Sequence, residues 1–74
     1  MPQGVDNIRH VYPSPGTMCV ILINPVLRKH VETVRRRYAE ASWTRDARID
    51  PNNHNIIIVT HDPDDYTGEL QTRS

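Results

Sequence analysis

The sequence predicts a small α+β domain in which a mainly antiparallel sheet carries one amphipathic helix on one face, in the order β-β-α-β-β. Two short apolar runs rich in β-branched residues, MCVILI at 18–23 and IIIV at 56–59, are typical of central strands. The region between them opens with a helix start signal, Asn24-Pro25. With 74 residues and a hydrophobic fraction of 36%, the chain has room for one such domain.

The first two strands are predicted at 5–12 and 18–23. The segment between them, PSPG at 13–16, contains two prolines and a glycine, which favour a turn. Two extended segments joined by such a turn indicate a hairpin. The pattern leaves open whether the first strand pairs in the sheet, and in which register.

The helix is expected from Pro25 to about Ser42. Asn is a favoured N-cap residue, and Pro fits the first helical position because its missing amide would have no partner there. The apolar residues of this segment recur at spacings of 4, 3, 4 and 3, which places them in one stripe that must face the sheet. The stripe consists of Leu27, Val31, Val34, Tyr38 and Ala41.

A second hairpin is predicted after the helix. TRDARID at 44–50 alternates in polarity, with Ala47 and Ile49 on one side, as a half-buried strand does. PNNHN at 51–55 supplies turn residues, and IIIVTH at 56–61 forms the last strand. We therefore expect one domain at 1–61, followed by a flexible acidic tail at 62–74.

Opposite charges are separated along the chain. Residues 25–43 contain five cations and two glutamates, a net charge of +3, whereas residues 62–74 contain four carboxylates and one arginine, a net charge of −3. The formal net charge of zero is thus a cancellation between a basic helix and an acidic tail. Glu32 precedes Arg36 by four residues, the favoured order for a helical ion pair, so part of the basic run is an ordinary solvated face.

The remaining cations suit a surface that docks on an acidic or carboxylate-bearing partner. Arg binds carboxylates through two parallel hydrogen bonds, and an aromatic side chain can anchor such a contact. The predicted partner-binding residues are Arg28, Arg35, Arg36, Arg37 and Trp43. The short chain has no catalytic residue spacing. We therefore expect a protein-binding module that inhibits or modulates a larger macromolecular machine, of the kind that phages and mobile elements encode.

Two other functions stay open. The arginine-rich helix also suits nucleic-acid binding, although a chain without net positive charge departs from the usual basicity of such domains. A small ribonuclease would use His10, Tyr12 or His61 with an arginine, but no phosphate-binding loop or nucleophile motif accompanies them. The four histidines lack metal-ligand spacing. We therefore expect no enzymatic activity, no metal and no cofactor.

Self-association is expected from the two apolar runs. Both offer aliphatic side chains to both sheet faces, whereas one helix covers only one face. Three or four uncovered aliphatic side chains would expose on the order of 300 to 400 Å², comparable to the largest apolar patch on a typical monomer. We therefore expect a homodimer whose interface includes residues of 18–23 and 56–59.

The chain shows no feature of secretion or membrane insertion. Cys19 is the only cysteine, so no intrachain disulfide can form. The N-terminal MPQGVDNIRH lacks the basic and then apolar pattern of a signal peptide. The apolar run 18–23 is far shorter than the roughly 20 residues of a membrane span. We expect a cytoplasmic protein, in the host cytoplasm if it is viral.

Overall fold

The computed structural model describes residues 8–64. Within this range the chain forms four strands and two helices, which confirms the predicted α+β class. They are β1 (Ile8–Ser14), β2 (Thr17–Leu22), α1 (Pro25–Lys29), α2 (Val31–Ala39), β3 (Thr44–Ile49) and β4 (Ile56–His61). Part of the predicted first strand, 5–7, and most of the predicted acidic tail, 65–74, lie outside the described residues.

The four strands form one antiparallel sheet in the order β1-β2-β4-β3. The two apolar runs occupy its central strands, β2 and β4, as predicted. The predicted hairpin partners, β1 and β3, form the edges. The pairing shifts register between Val11 and Ser14 in β1, and between Thr44 and Asp46 in β3.

The core lies between the sheet and the helices. Every second residue of the central strands points there, and the five apolar ones are fully buried: Met18, Val20, Leu22, Ile57 and Val59. The predicted helical stripe covers them, with Val34 and Tyr38 buried and with Leu27, Val31 and Ala41 packed against the cluster. The stripe therefore faces the sheet as its spacing predicts.

The prediction of one helix over 25–42 is wrong, because the segment forms two helices that break at His30. Asn24 caps α1 as predicted, with its side-chain oxygen accepting a hydrogen bond from the Val26 amide at 2.7 Å. His30 has φ −116° and ψ 32°, and its amide donates to the Leu27 carbonyl, only three residues earlier. The break leaves the same side of the chain toward the sheet, so the apolar spacing does not reveal it.

The second helix ends at Ala39, earlier than predicted, because the chain turns to bury Trp43. The Ala41 amide donates to the Tyr38 carbonyl at 3.2 Å, and the Thr44 amide donates to the Ala41 carbonyl at 3.1 Å. These three-residue bonds tighten the chain after the helix. They bring the indole into the core and lead directly into β3.

The β1–β2 hairpin turns at Pro15 and Gly16, because β1 continues to Ser14 instead of ending before PSPG. Gly16 has φ 81°, and Pro followed by such a residue is typical of a type II turn. The turn also lies against the end of β4. The His61 amide donates to the Gly16 carbonyl at 2.9 Å, and a Cβ atom at position 16 would lie 2.9 Å from the His61 carbonyl oxygen.

Replacing Gly16 with Ala should destabilise the fold by at least about 1 kcal/mol, because Ala has both a strained φ and no room for its Cβ atom. Urea unfolding followed by circular dichroism would measure the loss. Ser14→Ala, at an exposed position of the same hairpin, is the control and should change the free energy of unfolding by less than about 0.5 kcal/mol. Equal stability of G16A and the wild type would contradict this account of the turn.

Candidate functional site

Arg28, the first of the predicted partner-binding residues, uses its guanidinium within the fold. Its Nε donates to the Leu22 carbonyl at 3.2 Å, and its Nη2 donates to the Ile23 carbonyl at 3.4 Å. These carbonyls lie where β2 ends. The side chain therefore joins α1 to the end of a central strand and satisfies backbone acceptors there.

Arg35 also has its donors occupied. It forms a bidentate pair with Glu32, with distances of 3.0 Å from Nε to Oε1 and 2.7 Å from Nη2 to Oε2. Its Nη1 donates to the Ala47 carbonyl at 2.9 Å. The hydrogen bond from Arg35 lowers the pKa of Glu32, and the same bond raises the pKa of Arg35. Arg35 thus fastens α2 to β3.

Arg36 and Arg37 are the two predicted residues that project into solvent from α2. The side chain of Arg36 is 61% exposed, and its Nη2 lies 3.8 Å from Glu32 Oε2, a loose contact. Arg37 is exposed and forms no hydrogen bond or ion pair with another residue of 8–64. The fold therefore leaves these two adjacent guanidinium groups accessible.

Trp43 lies in the core with 8% of its surface exposed. Its ring makes edge contacts with Tyr38, at 6.5 Å between centroids, and with His61, at 5.5 Å. The indole therefore packs the end of α2 against the end of β4 and offers little surface to a partner. Its position at a helix end suggested an exposed anchor, but sequence position does not show toward which side the chain turns.

A partly buried polar pair at the edge of the core was missed from the sequence. Nε2 of His10 lies 2.9 Å from the Tyr38 hydroxyl, and the two rings meet edge to face at 6.1 Å. Burial lowers the pKa of His10, which favours the neutral imidazole. A neutral Nε2 can accept the hydroxyl proton. The signal would have been the alternation of β1, which places His10 on the side of the helices, but the register of that strand was left open.

The three residues considered for a ribonuclease do not form one exposed cluster. His10 and His61 lie on the helix-covered side of the sheet, at the two ends of a row of ring contacts that includes Tyr38 and Trp43. His61 is 5% exposed, whereas Tyr12 is 50% exposed on β1. The row serves as part of the core and connects β1, α2 and β4.

Comparisons with models of protein families, with curated proteins and with solved structures find no match to this chain. Neither α1 nor α2, the helices of the described range, has the length and apolar character needed to cross a membrane. Among residues 8–64, no three His, Cys, Asp or Glu side chains are grouped as metal ligands. The site must therefore be interpreted from its own geometry, in which Arg36 and Arg37 are the accessible members.

Replacing Arg35 with Lys should destabilise the fold by about 0.5 to 1.5 kcal/mol, because an ammonium group cannot contact Glu32 through a planar fork and also reach the Ala47 carbonyl. Arg37→Lys is the matched control, since that side chain has no contact to lose within 8–64, and it should leave stability unchanged. Chemical denaturation would measure both variants. Equal losses in both would show that Arg35 does not connect α2 to β3.

The lowered pKa of His10 predicts a loss of stability in mild acid. The unfolded chain takes up a proton at His10 near the usual value of 6.5, whereas the folded chain does so only at lower pH. The unfolded state therefore binds more protons, and stability falls as pH decreases below about 6.5. His10→Gln should reduce this decline, as measured by urea midpoints between about pH 7.5 and 5. His54→Gln, at an exposed turn residue, should keep it. Unaltered pH dependence in H10Q would contradict the prediction.

Proposed function

We propose that the chain is a protein-binding module that docks on an acidic surface of a larger protein and thereby inhibits or modulates it. The observation that carries the proposal is the pair Arg36 and Arg37 on the solvent side of α2: Arg37 has no partner within 8–64, and Arg36 makes only a loose contact with Glu32. Arg is well suited to recognise carboxylates because its planar fork donates two parallel hydrogen bonds.

The rigidity of α2 supports this role. The buried side chains of Val34 and Tyr38 pack the helix against the sheet, and Arg35 donates a hydrogen bond to the Ala47 carbonyl of β3. Binding by a surface that is already ordered costs less conformational entropy than binding by a mobile segment. Two adjacent cations on such a helix can therefore contribute to affinity even though each charge is solvated.

Nucleic-acid binding is the second candidate, because the same two arginines could contact phosphates. Arg28 donates to backbone carbonyls, and Arg35 donates to Glu32 and to the Ala47 carbonyl, so both guanidinium groups are partly engaged within the fold. Glu32 and Glu40 are also exposed on the helical layer and would repel one. Two phosphate contacts would give a salt dependence with a slope of only about −2, far below that of typical DNA-binding proteins.

The proposal predicts that charge reversal on α2 abolishes capture of a protein partner. The wild type, R36E, R37E and R45E would be immobilised separately and exposed to a cell lysate at physiological salt, with retained proteins quantified by mass spectrometry. Arg45→Glu is the matched control, because Arg45 is an exposed cation of β3 whose ion pair with Asp62 contributes at most about 1 kcal/mol. A protein retained by the wild type and R45E, but reduced at least about tenfold by R36E and R37E, is the expected result.

Two outcomes would reject the proposal. If no protein distinguishes the α2 variants from R45E, the two arginines are not a docking surface. If the wild type instead shifts DNA or RNA in a gel at about 50 mM salt, where phosphate contacts are strongest, and R37E does not, the nucleic-acid alternative replaces it. Circular dichroism of every variant is needed first, so that loss of binding is not confused with loss of the fold.

A further inference from the structure

The side of the sheet away from the helices is an apolar surface, which we name the open face. Both helices pack on the other side, so no helix of the described range covers it. Its apolar residues come from three adjacent strands, and each keeps part of its surface exposed: Val11 on β1, Cys19 and Ile21 on β2, and Ile56 and Ile58 on β4. They are contiguous, because strand pairing places Val11, Cys19 and Ile58 side by side.

One row of the open face carries opposite charges at its two ends. Strand pairing aligns Arg9, Ile21 and Ile56 across β1, β2 and β4. Asp50, which directly follows β3, completes the row, because Ile49 is paired with Ile57 and the next amide, that of Asp50, donates to the Ile56 carbonyl at 2.9 Å. The row therefore reads cation, isoleucine, isoleucine, carboxylate. Such a row is complementary to its own reversed copy.

We propose that the open face binds the open face of a second copy of this chain. The two copies are related by a twofold axis that lies midway between the facing sheets, parallel to the strands and above the boundary between β2 and β4. This rotation places β1 of one copy over β3 of the other. Arg9 then lies over Asp50 of the second copy, and Ile21 lies over Ile56. The contact is isologous, so each charge pair and each isoleucine contact forms twice.

The same rotation also places the other rows. Arg48, which is paired with Ile58 in the sheet and with Asp46 through its side chain, would lie over Val11 of the second copy. Thr17 of β2 is paired with Thr60 of β4, so Thr17 of one copy would lie over Thr60 of the second copy. Cys19 would lie over Ile58 in the same way. Sheets that pack face to face are about 10 Å apart, an interval that interdigitating isoleucines can fill and arginine can span.

The size of the face sets the expected affinity. The apolar part is at most on the order of 300 Å², because Cys19, Ile21, Ile56 and Ile58 are each only partly exposed, whereas a standard interface buries about 800 Å² from each partner. The charged and hydroxyl-bearing rim must therefore contribute, and the contact falls at the low end of stable interfaces. We expect a dissociation constant on the order of micromolar, and therefore a mass that depends on concentration.

Sedimentation equilibrium between about 1 and 500 μM tests the dimer on the full chain. The wild type should pass from 8.6 kDa to twice that mass. Ile58→Lys should raise the dissociation constant at least tenfold. Val26→Lys, which changes a side chain that is 61% exposed on α1, should leave it unchanged. A wild-type chain that stays monomeric throughout this range overturns the proposal.

Charge variants test the twofold arrangement without altering the apolar centre. Arg9→Glu should raise the dissociation constant, and so should Asp50→Asn in the wild-type background. In the R9E background, however, D50N should lower it, because it removes a carboxylate that faces the introduced one. Asn keeps the acceptor for the Asn52 amide, which Asp50 Oδ1 contacts at 2.8 Å, so the turn is preserved. Arg9 and Asp50 lie at opposite edges of one sheet and do not contact each other within a copy. If D50N raises the dissociation constant of the wild type but lowers that of R9E, the two residues therefore contact each other between copies. Additive effects would overturn this arrangement.

The thiol of Cys19 gives an independent measurement, because it lies in the middle row of the open face. Its initial rate of maleimide labelling should fall severalfold as the concentration rises through the dimerisation range. Labelling that is slow at every concentration would mean that another part of the same chain, such as 1–7 or 65–74, covers the face. That result would overturn the second copy as the occupant.

Discussion

The antiparallel pairing of β2 with β4 is the interaction on which the rest of the structure depends. Five residue pairs join these strands, from Thr17 and Thr60 to Ile21 and Ile56, and both strands are also paired on their outer sides. Because side chains alternate along a strand, the same pairing sends one set of aliphatic residues to the helices and another set to the open face. Full burial of each core side chain contributes about 1.5 to 3 kcal/mol. The stability of the core and the exposure of the opposite face therefore have one origin.

The helical layer shows how neighbouring residues of one type acquire different roles. Arg35, Arg36 and Arg37 are consecutive, yet only Arg35 lies over the edge of the sheet, where it contacts a backbone carbonyl. The next two positions rotate by about 100° each around the helix and point into water. A basic run on an amphipathic helix is therefore divided between the fold and the solvent. Only the solvent-facing part carries the proposed docking function.

Much of the fold could be predicted, because strands and turns leave local signals. The β-branched runs identified the central strands, the alternation of TRDARI placed Ala47 inside, and Asn24 marked the start of α1. The break at His30 left no signal, since the chain keeps the same face toward the sheet. Burial of Trp43 and the bond between His10 and Tyr38 depend on how distant elements pack, which a single sequence does not encode locally. For the same reason, the sequence could nominate four arginines but could not separate those used by the fold from those left accessible.

The irregular edges of the sheet decide how such molecules can associate. Regular edge strands present unpaired amides and carbonyls that recruit further strands and lead to aggregation. On β1 the ladder shifts between Val11 and Ser14, and Pro13 in that segment lacks an amide. On β3 the ladder shifts between Thr44 and Asp46, around Arg45. Both edges are thus poor templates for strand addition. Open-ended growth by strand addition is therefore disfavoured at both edges of the described sheet, and the proposed contact through the open face is of the closed, twofold kind.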